Sequence, residues 1–311
     1  MSKPIFLFLA FLISFSLLGQ DYERVDATIQ LYPEKFDNAK QLSDLISRDF
    51  NTDEEKVRAM YSWIIENIVY DPDEYKQFNY NFKNYRERNQ KEKITREKII
   101  KRTLQNRTAV CEGYAMLLEN LCELQGIPNY LVRGDIKTNF NDIGRPFKKT
   151  HMWNVITLEG KQFLFDATWG AGKYNEKFIK EPSYFFYKTS PELFIKTHYP
   201  DMFEDAFLEN TITRQDFSEM PIIIEPTMLL SAIEKPRDGI ISTEKYFDEF
   251  LFSIKNVHPE TVSYSFGKNI LPVNSLVFEE NIINFAIPIE LGAETLLIYF
   301  DDKPALAYKI E

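Results

Sequence analysis

Apolar residues in the first part of the chain recur every three or four positions, the spacing of amphipathic helices. Two such segments lie within residues 37–70. Thr52 precedes the second segment, where its hydroxyl can cap the helix, and the Tyr-Asp-Pro run at 70–72 ends it. A third segment covers residues 110–125 and stops at the Gly-Ile-Pro run that follows. The pattern predicts helices in these three places.

The pattern changes to strand periodicity after residue 128. Residues 129–134 are typical of a strand, and the polar stretch 138–149 is typical of a loop. Residues 150–158 and 161–168 alternate between apolar and polar, and Glu159-Gly160 between them fits a two-residue hairpin turn. Helices followed by an antiparallel hairpin predict an α+β core.

Short β-type runs separated by Pro, Gly, Asn and Asp dominate the chain from residue 217. Several strands about a dozen residues apart are typical of a β-sandwich, here of immunoglobulin-like kind. We therefore predict a leader at 1–19, an α+β domain with N-terminal helices at 20–215 and an accessory β-sandwich at 216–311. The runs lie at 222–224, 246–254, 261–266, 275–278, 282–287, 295–300 and 306–310.

The first residues resemble an export signal. Lys3 gives a short basic start, residues 5–18 are uncharged and apolar, and small Gly19 precedes Gln20 and Asp21. The apolar run is shorter than the roughly 20 residues that span a bilayer, so a permanent membrane anchor is the weaker alternative. We predict a periplasmic or secreted protein whose mature chain begins at Gln20 or Asp21.

Charge narrows the range of partners. The chain has a net charge of −10, which argues against nucleic-acid binding. From Phe217 onward 15 acidic residues face 7 basic ones, which favours a basic protein partner for the C-terminal domain. The stretch 83–107 has ten basic and three acidic residues. It is either a solvated face or a docking surface for an anionic partner, and the acidic tail of the same chain is one such partner.

Cys111 lies where a polar loop enters the third predicted helix, and the free amides at a helix start favour a thiolate. Cys122 follows eleven residues later, about 16 Å along the same helix, so the two thiols cannot form a disulfide. Cys122 falls among leucines and is expected in the core. Two cysteines also exclude a disulfide framework.

A thiolate nucleophile needs a base and a group that orients the base. His258 lies in a Pro-flanked turn, and we expect His198, on a loop, to be a surface or packing residue. His151 differs, because pairing Leu158 with Lys161 in the hairpin puts His151 and Asp166 on the same sheet face. Asp166 follows an apolar run, where a carboxylate needs a compensating partner.

Four motifs resemble the transglutaminase-like superfamily, over roughly residues 57–169. They are Val110-Cys111-Glu112-Gly113-Tyr114-Ala115, Leu121-Cys122-Glu123-Leu124-Gln125-Gly126-Ile127-Pro128, Thr150-His151-Met152-Trp153-Asn154-Val155 and Phe165-Asp166-Ala167-Thr168-Trp169-Gly170. The resemblance implies a papain-like core in which a helix bearing Cys111 packs on an antiparallel sheet bearing His151 and Asp166. It implies that Cys111 attacks a carbonyl, His151 is its base and Asp166 orients His151. Residues 184–202 and the β-rich tail are similar to the kyphoscoliosis-peptidase and cytokinesis-associated branch.

The resemblance implies acyl transfer on peptide or protein amides, with a peptidase favoured over a cross-linking enzyme. We expect Trp153 and Trp169 to line the cleft, and we include Trp63 and Tyr70 as further candidates. No calcium-loop pattern and no paired CxxC zinc motif occurs in the sequence, so neither a metal nor a cofactor is predicted. The alternative is a binding module on the same fold, which holds a peptide in the cleft without turnover.

Overall fold

The computed structural model describes residues 22–77 and 85–311. The predicted leader at 1–19 and the beginning of the basic stretch 83–107 lie outside the described residues. The helices in the described ranges are α1 (Tyr22–Ile29), α2 (Ala39–Asp49), α3 (Asp53–Asn67), α4 (Tyr85–Asn106), α5 (Cys111–Leu124), α6 (Ala167–Ala171), α7 (Pro191–Phe194) and α8 (Arg214–Glu219). None of them is long and apolar enough to cross a membrane.

The ends of α3 and α5 follow from their local sequence. Thr52 accepts a hydrogen bond from the Glu55 amide, and the Glu55 carboxylate accepts one from the Thr52 amide, a capping box that fixes the start of α3. Helix α5 begins at Cys111 without a side-chain cap, because Val110 occupies the N-cap position. Gly126, with φ of +72°, follows its end. The predicted helices are confirmed.

The first sheet has five strands in the order β8-β5-β4-β3-β9. They are β3 (Asn129–Ile136), β4 (His151–Leu158), β5 (Lys161–Phe165), β8 (Tyr187–Thr189) and β9 (His198–Pro200). Strands β4 and β5 pair with Leu158 opposite Lys161 and Asn154 opposite Phe165. The predicted hairpin register is therefore confirmed. Two small pairs complete this half: β1 (Val69–Tyr70) with β2 (Thr108–Ala109), and β6 (Gly172–Asn175) with β7 (Lys177–Lys180).

The strand predicted over 161–168 ends earlier than expected. Strand β5 stops at Phe165, and Asp166 becomes the N-cap of α6. The reason is local: the Asp166 carboxylate accepts hydrogen bonds from the amides of Thr168 and Trp169, which turns the chain into a helix.

Two further sheets follow, as the β-rich composition predicts. One has the order β10-β19-β18-β14-β15, with β12 parallel to β19, and the other has the order β11-β13-β17-β16. Their apolar faces share one hydrophobic cluster that includes Phe250, Phe252 and Tyr308. The strands are β10 (Ile222–Ile223), β11 (Ala232–Lys235), β12 (Ile240–Ile241), β13 (Glu249–Lys255), β14 (Val262–Ser265), β15 (Leu271–Pro272), β16 (Val277–Glu279), β17 (Ile282–Pro288), β18 (Thr295–Phe300) and β19 (Lys303–Ile310).

Two lysines connect the halves. The buried Lys137 ammonium donates to the carbonyl oxygens of Phe217 and Met220 at 2.6 and 2.5 Å. The Lys196 ammonium donates to the carbonyl oxygens of Leu229 and Ser231 at 2.6 and 2.9 Å. The boundary predicted between residues 215 and 216 falls inside α8, so the division into domains remains a prediction.

Several bases of the 83–107 stretch pair with acids of the same half. Arg96 lies 2.6 Å from Glu119 of α5, and Arg102 lies 2.5 Å from the carboxylate of Glu74. Arg107 pairs with Glu34. These ion pairs neutralise part of the charge, and the docking role of the stretch remains a prediction.

Candidate active site

Cys111 is the first residue of α5, and its thiol lies close enough to the His151 imidazole to interact with it electrostatically. Cys111 is 7% exposed and His151 is 6% exposed, so the pair is nearly closed to solvent. The backbone N–H groups of the first turn of α5 have no partner within the helix, and they lie at the end of α5 where Cys111 is. The structure therefore brings the predicted nucleophile and base together at a helix start.

His151 also contacts the predicted orienting residue. Its Nε2 lies 2.6 Å from Oδ2 of Asp166. Because Nε2 faces the carboxylate, Nδ1 is the ring nitrogen left for Cys111. The imidazole thus bridges thiol and carboxylate, as the hairpin parity predicts.

The Asp166 carboxylate is fully buried and accepts four hydrogen bonds. Oδ1 accepts from the amides of Thr168 and Trp169 at 2.7 and 3.1 Å. Oδ2 accepts from His151 and from Nε2 of His198, at 2.6 and 2.9 Å. This set of donors compensates the cost of burying the charge.

His198 is the residue of this hydrogen-bond network that the sequence prediction missed. It was expected on a loop as a surface or packing residue, but it is 0% exposed and opens strand β9 opposite Ile136. Its partner Asp166 lies 32 residues away, and only the sheet brings the two together. The one local signal is a second histidine within residues 20–215. His258 is exposed and lies in an irregular segment between β13 and β14.

The charges of the network follow from its geometry. Burial alone lowers the pKa of His151, but the charge of the Asp166 carboxylate, its hydrogen bond and the adjacent Cys111 outweigh burial and raise the pKa. Burial alone raises the pKa of Asp166, but the charge of His151 and hydrogen bonds from both histidines lower it. The favoured state is an imidazolium at His151 beside an ionised Asp166.

The four aromatic candidates occupy different places. The Trp153 ring centroid lies 6.2 Å from that of His151, and the partly exposed Trp169 ring lies 6.4 Å from it. Tyr70 packs its ring on Tyr174 at 5.7 Å. Trp63 is fully buried and donates to the carbonyl oxygen of Pro33. The two tryptophans thus flank His151, while Trp63 lies in the core, where its ring packs on Phe36.

Cys122 lies in a different environment from Cys111. It is 0% exposed, and its sulfur lies 3.8 Å from that of Met60. Burial raises the pKa of the Cys122 thiol, so it remains protonated. The expectation that Cys122 belongs to the core is confirmed.

Among the described residues, the side chains that could together hold a metal ion are His151, Asp166 and His198, whose ligand atoms lie within 4.8 Å of one another. The hydrogen bonds above already link these atoms at 2.6 and 2.9 Å. We therefore interpret the group as a proton network.

A cysteine at a helix start, a histidine on the facing strand and a buried aspartate define the class of papain-like α+β domains with a Cys-His-Asp site. Residues 40–167 match the family model of the transglutaminase-like superfamily. The chain therefore carries a transglutaminase-like domain, and the resemblance stated from its motifs is confirmed.

One curated protein and two solved structures are similar to part of this chain. Human (Homo sapiens) kyphoscoliosis peptidase is 31% identical over 194 residues, which cover 60% of this chain and 27% of the relative. The chain thus spans about a quarter of that relative. Two solved structures are also similar: a TGase (13% identity, TM-score 0.29, 57% of this chain and 40% of the other) and a protein of Cytophaga hutchinsonii described as a cysteine protease (21%, 0.26, 49% and 43%).

Proposed function

We propose that the protein is an exported thiol-dependent acyl-transfer enzyme that acts on peptide or protein amides, and that it is a peptidase. The observation that carries the proposal is the position of His151 between Cys111 and Asp166. This arrangement supplies a nucleophile, a proton carrier and an orienting carboxylate.

The proposed reaction has two stages. The Cys111 thiolate attacks the amide carbonyl carbon, and the imidazolium of His151 gives its proton to the leaving amine as the C–N bond breaks. His151, now neutral, takes a proton from water as the water attacks the thioester, and the C–S bond breaks to release the acid. The Cys111 amide, at the first position of α5, is a donor for the oxyanion.

One observation bears on the choice between peptidase and cross-linker. The human relative is named a peptidase, which supports hydrolysis. An amine in place of water would give cross-linking from the same thioester. We propose hydrolysis, with the basic protein partner of the acidic C-terminal half as substrate or adaptor.

A peptide-binding module is the second candidate, because the site is nearly closed. With Cys111 and His151 each less than a tenth exposed, a substrate carbonyl reaches the sulfur only after the cleft opens. Binding without turnover needs no such approach.

Cysteine substitutions test the proposal directly. Cys111→Ser should abolish release of new amino termini from casein, because the hydroxyl is a far weaker nucleophile. Cys122→Ser, the matched control, should retain turnover and lose about 1–3 kcal/mol of stability, because it places a hydroxyl in the core. Incorporation of dansylcadaverine, measured in parallel, reports amine transfer. Equal loss of turnover in both variants would refute the nucleophile assignment. If the folded wild-type protein shows neither hydrolysis nor amine transfer, the binding module is favoured.

A further inference from the structure

His198 is the one buried histidine that the proposed mechanism does not use. It donates from Nε2 to the same Asp166 oxygen that binds His151. A catalytic dyad needs only one imidazole at that oxygen, so the second requires an explanation.

The other ring nitrogen of His198 is also engaged. Its Nδ1 lies 2.7 Å from the Thr197 hydroxyl oxygen. That hydroxyl has one proton, which it can place on Nδ1 or on the Phe194 carbonyl oxygen at 3.3 Å. Since Nε2 must carry a proton to bond the carboxylate, a neutral ring has Nδ1 as an acceptor, and the shorter contact gives it the Thr197 proton.

An aromatic enclosure keeps the ring neutral. Phe194 stacks on His198 with centroids 4.1 Å apart, and the rings of Trp169, Trp153 and Phe186 lie at 4.7, 5.4 and 5.7 Å. Burial lowers the pKa of His198 to about 4, against the opposing effect of Asp166 and with the help of the nearby His151 charge. One carboxylate is thus shared by a cationic and a neutral imidazole.

We propose that His198 is a positioning residue for the triad: as a fixed, neutral N–H donor it holds the Asp166 carboxylate toward His151 and keeps it ionised. The inference rests on the proposed function of Cys111, His151 and Asp166. The Thr197 hydroxyl sets the ring form that makes His198 a donor, and strand β9 places the ring.

His198 should affect the pH dependence of Cys111 reactivity through the charges around Asp166. Removing the His198 N–H makes the electrostatic potential at the network more negative, so protons bind more readily. The acid limb of the reactivity of the site then moves to higher pH. The titratable groups that surround this network are His151 from β4, Cys111 and Tyr114 from α5 and Tyr61 from α3.

Two variants of His198 separate positioning from packing. His198→Phe keeps an aromatic ring in the enclosure and removes the donor. His198→Gln removes the ring and restores an N–H near the position of Nε2. Mass spectrometry of Cys111 alkylation by iodoacetamide across pH reports the site without a substrate, and kcat and KM on a peptide amide report turnover.

For His198→Phe we expect kcat to fall about 10- to 100-fold with little change in KM, and the acid limb of alkylation to rise by about half a pH unit or more. His198→Gln should restore both toward wild type, and Thr197→Val should shift the acid limb in the same direction as His198→Phe. If His198→Phe keeps the wild-type kcat and acid limb while His198→Gln is impaired, the ring serves only packing, and the inference is overturned. If His198→Phe does not fold, judged by circular dichroism, the acid limb of His198→Gln decides, and a shifted limb overturns the inference.

Failure of the proposed function would look different. Retained turnover in Cys111→Ser would remove the triad mechanism altogether. Loss in Cys111→Ser with no effect of His198→Phe would leave the mechanism intact and reject only the positioning role.

Discussion

The Asp166 carboxylate organises the site at the scale of single residues. Its two oxygens receive two backbone amides and two imidazoles, and its own backbone carbonyl accepts a hydrogen bond from Tyr61 at 3.1 Å. A carboxylate with four donors keeps its charge without water. Of the two histidines that bind it, His151 is a cation and His198 is neutral.

The neutral state of His198 predicts a loss of folding stability in acid. The pKa of His198 is about 4 in the fold and about 6.5 in an unfolded chain, so the unfolded state takes up the proton first as pH falls. The free energy of unfolding should decrease between pH 6.5 and 4, by an amount on the order of 3 kcal/mol. His151, whose pKa is raised, contributes stability that is fully present in this window and is lost only at higher pH.

Urea unfolding between pH 7 and 4 measures this loss. The control is His198→Gln, which has no imidazole at this position but keeps all other titratable groups. The variant should show a shallower decrease than the wild type over the window. Equal pH slopes for the two proteins would contradict a buried neutral His198.

At the scale of elements, close contacts between strands and helices hold the catalytic groups in register. The Asn154 side chain of β4 donates to the carbonyl oxygen of Ala115 in α5 at 2.9 Å, which ties the histidine strand to the cysteine helix. Gly134 of β3 lies opposite His151 on one side and Pro200 on the other. A side chain at Gly134 would overlap the Trp153 ring and the Tyr199 carbonyl oxygen.

Gly134→Ala should therefore separate β9 from β3 and disturb the site. We expect a loss of about 1–3 kcal/mol in the free energy of unfolding, as in other overpacked positions, together with reduced amide turnover. The control is Gly160→Ala in the hairpin turn: it has φ of +75° and open space around it, so alanine is strained there but touches nothing. Equal turnover in the two variants would contradict the role of the β3–β9 approach.

The elements that the sequence predicted correctly are those with local signals. Thr52, Gly126 and the Glu159-Gly160 turn each carry their information within a few residues, and the turn fixed the parity of His151 and Asp166. Strand β9 has three residues and no periodicity to detect. Its pairing with β3, and hence the burial of His198, depends on contacts about 60 residues apart that a single sequence does not specify.

The whole molecule joins its two halves through the segment around β10. Leu229, 1% exposed, belongs to the hydrophobic cluster of Trp153 and Phe194 in the first half. In the same segment Ile222 and Ile223 pair with β19 of the C-terminal half. The segment therefore stabilises the catalytic core, although the sequence places it in the accessory domain.

Truncation should separate the roles of this segment and the sandwich. A protein that ends at Ser218 should melt at a lower temperature than one that ends at Ser231, because only the longer chain covers the cluster with Leu229 and bonds Lys196. The longer truncated protein should keep turnover of small peptide amides and lose activity on a basic protein partner. Identical melting of the two would contradict the assigned role of Leu229. Loss of small-amide turnover in the longer, folded protein would show that the sandwich helps to build the cleft.

The central claim is that His151 and Asp166 activate Cys111. Site-resolved labelling with iodoacetamide at pH 6, where an ordinary thiol is protonated, tests it within one molecule. We predict modification of Cys111, none of Cys122, and loss of the Cys111 modification in His151→Gln. The account would be contradicted if Cys111 of the wild-type protein were not modified at pH 6. It would also be contradicted if folded His151→Gln were modified at Cys111 to the same extent as the wild type.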